Sequence, residues 1–129
     1  MPRDIPVGNG NLLVTFDDHY RLRDFYAPRV GRHNHTNGHI QRFGVWADGN
    51  ISWIEEDSWQ RDLRYRPDTL TTEVHLVNDQ LGLEVICNDV VDFDKPVYFR
   101  KVTVRDLLGK SRDVRLFFHT DLCINGSPV

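Results

Sequence analysis

The sequence has no excess of positive charge and no long apolar run. Its 129 residues include 16 lysines and arginines against 19 aspartates and glutamates, for a net charge of -3. Because the cations are scattered among carboxylates, we expect neither nucleic acid nor an anionic membrane as a partner. No segment approaches the roughly 20 apolar residues of a membrane span. The opening "MPRDIP" lacks the apolar core of a signal peptide, so the sequence predicts a cytoplasmic protein.

Cysteine is scarce, and the motifs of several enzyme classes are missing. Cys87 and Cys123 lie far apart and form no CxxC. We expect buried, reduced thiols, with a disulfide between them as the alternative. There is no G-x-S-x-G elbow and no P-loop, and Gly8-Asn9-Gly10 is too short to cradle a phosphate. That segment is expected to bend the chain into a strand, and no catalytic residue and no cofactor are predicted.

Helical periodicity is also absent, and short alternating runs take its place. Runs rich in aromatic and β-branched residues predict strands at 11–16, 20–26, 40–47, 51–54, 70–77, 81–91, 97–105 and 114–120. Asp48-Gly49 predicts a type I′ hairpin between two of them, because that turn needs positive φ at both central residues. The pattern predicts an all-β fold, an antiparallel β-sandwich, in which residues 1–129 form one domain or a fragment of one.

Acidic residues are the first candidates for catalysis, because a glycosidase or an aspartyl-type site requires two carboxyl groups held at a set distance. Asp17-Asp18 and Glu55-Glu56-Asp57 fall at predicted strand ends, where neighbouring side chains point to opposite faces. Asp89, Asp92 and Asp94 surround the end of another predicted strand. We expect solvated turns and loop or strand-end positions for these residues rather than catalytic roles.

The three tryptophans lie close together in the sequence. Trp46 and Trp53 fall in predicted strands, and we expect them to pack in the sandwich interior, where aromatic rings supply large buried area. Trp59 lies in a polar segment. Two interpretations stay open for it, a core position or an exposed ring that stacks on a sugar.

The segment "RVGRHNHTNGH", residues 29–39, holds three of the six histidines. Its asparagines and glycines predict a loop. No metal is expected, because the segment has no carboxylate and no regular structure to fix its ligands. One alternative is a solvated connection, where replacing His33 and His35 together changes stability by less than about 0.5 kcal/mol. The other is a functional loop on a rigid β scaffold.

A series of short motifs occurs in a specific order along the chain. Gly8-Asn9-Gly10 precedes Tyr26-Ala-Pro28-Arg-Val30-Gly31 and then Arg42-Phe-Gly44-Val45-Trp46 with its Asp-Gly turn. The stretch "PVYFRKVTVRDLLGKSRDVRLFFHTDL" follows them. In this order the motifs resemble the N-terminal β-sandwich of bacterial and archaeal glucoamylase-like enzymes of glycoside hydrolase family 15. The likeness extends along nearly the whole chain.

The resemblance implies an enzyme in two parts, a sandwich followed by an (α/α)6 barrel that carries both catalytic glutamates. This chain contains neither the barrel nor those glutamates. It is therefore expected to be non-catalytic, to pack against the barrel of the same polypeptide and to shape an active-site mouth for α-glucan. The residues expected to contact the barrel or the sugar are Tyr26, Arg29, Arg32, His33, Asn34, His35 and Trp59.

Two other functions remain as alternatives, a stand-alone carbohydrate-binding sandwich and a small cytoplasmic protein-binding β-domain. The family's sandwich is larger than this chain, so some strands would lack neighbours. Unpaired strand edges are templates for association, and we expect a homodimer of the isolated chain. The resemblance leaves starch-type glucan, trehalose and dextran open as substrates of the complete enzyme.

Overall fold

The computed structural model describes residues 5–124, which form ten β-strands. The strands are β1 (Ile5–Gly8), β2 (Leu13–Phe16), β3 (Leu22–Tyr26), β4 (Arg42–Ala47), β5 (Asn50–Trp53), β6 (Gln60–Tyr65), β7 (Thr72–Asn78), β8 (Leu83–Val91), β9 (Tyr98–Asp106) and β10 (Val114–His119). Residues 5–124 contain no α-helix, and so no helix that could cross a bilayer. The all-β class predicted from the sequence is confirmed.

The strands form three antiparallel sheets, ordered β1-β2-β3, β10-β4-β5 and β6-β7-β8-β9. A backbone bridge between Leu22 and Gln41 joins the first sheet to the residue before β4. Buried side chains from all three sheets form one shared core. Antiparallel sheets that enclose a common core are consistent with the predicted sandwich.

The centre of the core lies on β7 and β8, where every second residue is buried. Val74, Leu76 and Val85 are completely enclosed there. Cys87 and Cys123 are both buried free thiols, as predicted. Burial raises the pKa of the Cys87 thiol to about 12, so this cysteine stays protonated and unreactive at neutral pH.

Two turns follow from their sequence motifs. Asp48 and Gly49 have φ values of 52° and 81° and connect β4 to β5, which confirms the type I′ hairpin. Gly8-Asn9-Gly10 forms the turn between β1 and β2. The Asn9 side chain accepts hydrogen bonds from the backbone of residues 11 and 12 and donates to the carbonyls of Asp92 and Lys95, at 2.9 and 3.0 Å. The motif therefore attaches the first hairpin to the loop after β8.

Two edge strands, β1 and β6, lie outside the strands predicted from the sequence. Pro6 and Gly8 are poor strand formers, and β6 contains three charged residues, so neither segment has a strong strand pattern. Each becomes extended through its partner, because β1 pairs with β2 and β6 pairs with β7 over its whole length. Long-range pairing has overridden local preference in both cases.

The expected interior positions of Trp46 and Trp53 are wrong. The inward side chains of β4 are Phe43, Val45 and Ala47, all buried. Alternation along a strand then places Trp46 on the outer face, and Trp53 joins it there because it pairs opposite Gly44. Both tryptophans are only half-buried.

Arginines cover these outer-face rings. The Arg42 guanidinium carbon lies 4.3 Å from the Trp53 ring centroid, and that of Arg115 lies 4.9 Å from the Trp46 ring. The Trp53 ring lies against Gly44, where an added Cβ would come within 2.9 Å of it. The Arg-Phe-Gly-Val-Trp motif therefore needs a glycine at position 44, because a side chain there would collide with the Trp53 ring.

Candidate functional site

The His-rich loop has an exposed tip and a buried base. The loop tip, residues 29–33, is exposed throughout and carries Arg29, Arg32 and His33. The loop base, residues 34–36, packs against β3, where a backbone bridge joins Asn34 to Tyr26. The tip therefore displays two arginines and a histidine, without any carboxylate of its own, on a fixed support.

Asn34 holds the loop base in place rather than projecting toward a ligand. Its side-chain oxygen accepts from the Phe25 amide at 3.0 Å and from the Thr36 hydroxyl at 2.9 Å. Its amide nitrogen donates to Asp24 at 2.9 Å. Thr36 is fully buried, and its hydroxyl oxygen also lies 2.9 Å from the Arg23 carbonyl oxygen. Asn34 is thus placed as a structural support of the loop tip.

His35 is buried, with 8% of its surface exposed, so the expectation of a solvated histidine pair is wrong for this residue. Its Nε2 lies 2.9 Å from the Ala27 carbonyl oxygen, and its ring meets Phe25 edge-on. The backbone of His35 donates to Phe25 and accepts from Cys123. The expectation of a solvated side chain holds for His33, which is exposed.

No group of three metal-ligating atoms in residues 5–124 includes a histidine of this loop. His39 lies 3.0 Å from Asp121 and 3.9 Å from the Cys123 sulfur, but both contacts involve its Nδ1, an arrangement unlike a Cys-His-Asp triad. Asp17, Asp18 and His19 do cluster.

Asp17 already accepts hydrogen bonds from the backbone amides of His19 and Arg21 and from the Arg21 side chain. It is fully buried, which corrects the expected solvated position. The oxygens of Asp17 are thus used to hold the turn between β2 and β3. This structural role explains the cluster of Asp17, Asp18 and His19.

Trp59 is a core residue. Only 3% of it is exposed, and its indole nitrogen donates to the Ser52 hydroxyl at 2.8 Å. A ring enclosed in this way offers no face for stacking on a sugar. Of the two interpretations of Trp59, the structure supports the core position.

A buried polar network lies elsewhere in the sandwich, and the sequence analysis missed it. Asp89 lies within β8 and is completely enclosed. Its carboxylate accepts from the hydroxyls of Tyr20 at 2.5 Å, Thr72 at 2.8 Å and Tyr98, and from Arg100 Nε at 2.9 Å. The expected loop or strand-end position for Asp89 is therefore corrected to a buried ion pair across β8 and β9.

Aromatic rings surround the Arg100 guanidinium. Its central carbon lies between 5.0 and 5.8 Å from the ring centroids of Phe16, Tyr20, Phe43 and Tyr98. Removal from water raises the pKa of the Tyr20 and Tyr98 phenols well above the ordinary tyrosine value. Both tyrosines therefore stay protonated at neutral pH and donate their hydrogens to Asp89.

A cavity of about 280 Å³ opens beside this network. β9 contributes Tyr98 and Arg100 to its wall, and β10 contributes Phe118 and His119. The remaining wall residues are Tyr20, Leu22, Gln41, Arg42, Phe43 and Thr120. The wall therefore combines aromatic rings with two arginines and has no carboxylate of its own.

Comparison with known proteins relates the chain to a glycosyl hydrolase. An uncharacterized glycosyl hydrolase of Methanocaldococcus jannaschii is 27% identical over 123 residues. The match covers 95% of this chain and 19% of the relative, so the chain spans about a fifth of that protein's length. No protein-family model and no solved structure matches. The chain is thus related to one part of a glycosyl hydrolase.

Proposed function

We propose that this chain is the non-catalytic N-terminal β-sandwich of a cytoplasmic, glucoamylase-like α-glucosidic hydrolase of family 15. It packs against the catalytic barrel of the same polypeptide. The observation that carries this proposal is the similarity to a glycosyl hydrolase along 123 residues, over an all-β chain. The ordered motifs that resemble family 15 make the proposal more specific than the match alone.

The roles of the motif residues support a scaffold and not a catalytic centre. Asn9 connects the first hairpin to the loop after β8, and Gly44 makes room for the Trp53 ring. Both residues thus serve the packing of the sandwich.

The loop tip is the surface best suited to meet the catalytic barrel or an α-glucan at its mouth. Arg29, Arg32 and His33 are exposed, while the buried loop base limits their motion. Functional loops gain precision from rigid supports of this kind. Asn34 and His35 contribute indirectly, by holding the tip, and Tyr26 lies at the end of β3 next to it.

The test uses the complete polypeptide. Replacing Arg29, Arg32 and His33 together by alanine should lower kcat/KM for maltooligosaccharides without changing the thermal unfolding midpoint. Arg64→Ala is the matched control, because Arg64 is an exposed arginine on β6, at 60% side-chain exposure. Kinetics unchanged by the triple replacement would identify the tip as an ordinary solvated connection.

Stand-alone sugar binding is the alternative with a simple test of its own. Such a module would bind sugar through Trp59 or through the His-rich loop, and Trp59 is enclosed in the core. We therefore expect no change in the amide spectrum of the isolated chain when maltooligosaccharides are added to millimolar concentration. Saturable shifts would favour a carbohydrate-binding module.

A further inference from the structure

Four apolar side chains are exposed in the connections at one end of the sandwich. They are Val30 in the loop tip, Leu70 between β6 and β7, and Phe93 and Val97 between β8 and β9. Phe93 and Leu70, at 98% and 72% exposure, are the most exposed large apolar residues of the part of the chain described, and they line one open groove of about 660 Å³. Single exposed apolar residues are ordinary, but a cluster of them marks an interaction surface. We call this surface the apolar end.

Strand pairing places these connections at the same end of the sandwich. Gly8 pairs with Leu13, and Leu13 pairs with Tyr26, so the turn between β1 and β2 lies beside the start of the His-rich loop. The bridge between Tyr26 and Asn34 closes the base of that loop, and its tip therefore extends beyond this end. The Asn9 side chain, in the turn between β1 and β2, is hydrogen-bonded to the connection between β8 and β9.

Hydrogen bonds fix the connection that carries Phe93. The Asp92 carboxylate accepts from the backbone amides of Asp94 and Lys95, at 3.0 and 2.8 Å. The Asn9 side chain donates to the carbonyls of Asp92 and Lys95. The Phe93 ring is thus held exposed on a fixed turn, so a partner can bury it at a small cost in loop entropy. Aromatic side chains presented in this way are typical anchors of protein interfaces.

The remainder of the hydrolase polypeptide is the occupant that these observations favour. The chain matches 19% of the length of its relative, so about four fifths of such a protein lies outside the matched part. The loop tip, which the proposed function places against the catalytic barrel, belongs to the same end as Phe93. The apolar end consists of connections between strands, whereas the free edges open to a second copy run along β9 and β10.

We propose that the apolar end is the surface that packs against the catalytic barrel of the same polypeptide, with the Phe93 ring buried in the contact. Leu70 and Phe93 form the apolar centre of this interface, and the exposed arginines of the loop tip supply a polar border. The inference rests on the proposed function and adds to it the contact that joins the two parts.

Thiol labelling compares the isolated chain with the complete polypeptide. Cys87 and Cys123 are buried, so Phe93→Cys adds a single exposed thiol to the described residues, and mass spectrometry of its peptide gives the rate of alkylation. We expect alkylation at position 93 to be at least about tenfold slower in the complete polypeptide, because a buried group reacts only when the contact opens. Leu70→Cys leaves the phenylalanine in place and should be protected in the same way.

Leu107→Cys is the matched control. Leu107 is 46% exposed and follows the far end of β9, at the end of the sandwich opposite Phe93. Alkylation at position 107 should proceed at the same rate in the isolated chain and in the complete polypeptide. Protection at position 107 without protection at position 93 would place the interface at the opposite end and overturn the inference.

Phe93→Ser tests what the ring contributes to the contact. Because the ring is exposed, the isolated variant should keep its thermal unfolding midpoint. In the complete polypeptide the same change should speed proteolytic cleavage between the two parts by about fivefold or more, since the cleavage rate follows the population of the open form. An unchanged cleavage rate would count against the proposed anchor.

Two further results would overturn the inference. The first is equal alkylation at position 93 in the isolated chain and the complete polypeptide. The second is alkylation of the isolated chain that slows as its concentration rises, because a second copy would then be the occupant.

Glucose release from maltooligosaccharides, measured on the same samples, separates this inference from the proposed function. Turnover by a complete polypeptide whose position 93 stays reactive would reject the interface and leave the proposed function standing. Protection at position 93 in a complete polypeptide without turnover would support the interface and reject the proposed function.

Discussion

Asp89 accepts hydrogen bonds from four side chains in a place without access to water. A buried carboxylate of this kind is stable only while its partners remain, and the same is true of the guanidinium it neutralises. Three features make the network specific: two buried tyrosine hydroxyls, a threonine that also accepts from the Asp89 amide, and the ring-enclosed Arg100. Predictions at the residue scale concern these groups.

Asp89→Asn should lower the free energy of unfolding by about 3–5 kcal/mol, because it leaves the positive charge of Arg100 buried without compensation. Urea denaturation of the isolated chain measures the change. Asp94→Asn serves as the control at an exposed position and should change stability by less than about 0.5 kcal/mol. Equal effects of the two replacements would argue against the buried network.

The buried phenols predict a loss of stability at alkaline pH. Burial raises the pKa of Tyr20 and Tyr98, so the folded chain keeps two protons that the unfolded chain releases at about pH 10. Their contribution to stability is complete below that pH and decreases as the pH rises beyond it. Tyrosinate absorbance should show both phenols ionising only as the chain unfolds. Their ionisation at about pH 10 with an unchanged circular dichroism spectrum would contradict this.

At the scale of elements, the exposed tip and the buried base of the His-rich loop should differ in how much a substitution lowers stability. His33→Ala should alter stability by less than about 0.5 kcal/mol, because the side chain is exposed. His35→Ala should cost about 1–3 kcal/mol, because it removes a buried ring and the partner of the Ala27 carbonyl. Thermal and urea unfolding of the two variants, side by side, measure the difference. Equal stability of both variants would contradict the buried loop base.

Most strands could be predicted from the sequence, because alternation and turn residues are local signals. Asp48-Gly49 specified its hairpin in this way. β1 and β6 could not be predicted, because their partners across the sheet, and not their own residues, make them strands. The predicted interior positions of Trp46 and Trp53 were wrong for a related reason, since the register of strand pairing decides which face of the sheet a residue occupies.

The candidate site was less predictable than the fold. Asp89 and Arg100 occupy inward positions of β8 and β9, flanked by Cys87 and Val102 on the same side. The sequence therefore offered one signal for the buried network. It was a charged residue at an inward position on each of two successive strands. The exposure of Arg29, Arg32 and His33 agrees with the expected loop, but the burial of His35 depends on contacts with distant residues such as Cys123.

At the scale of the whole molecule, the isolated chain should self-associate. β9 and β10 expose one edge each among the described strands, and Phe99, Phe117 and Phe118 are 53%, 43% and 56% exposed. Free edges with apolar side chains are templates for pairing, and a two-fold dimer closes on itself. Light scattering at micromolar concentration should show a dimer or larger species, which Phe117→Lys shifts toward monomer. A strictly monomeric mass with cooperative unfolding would mean that the chain forms a closed domain.

The assignment as a non-catalytic part of a hydrolase is tested most directly by glucose release from maltooligosaccharides. We expect turnover by the complete polypeptide and none by residues 1–129 alone, because both catalytic carboxyl groups would lie in the barrel. The two proteins are compared at equal molar concentration under the same conditions. Glucose release by the isolated chain, abolished by replacing one of its own aspartates or glutamates, would contradict the assignment. So would a complete polypeptide that hydrolyses no α-glucoside.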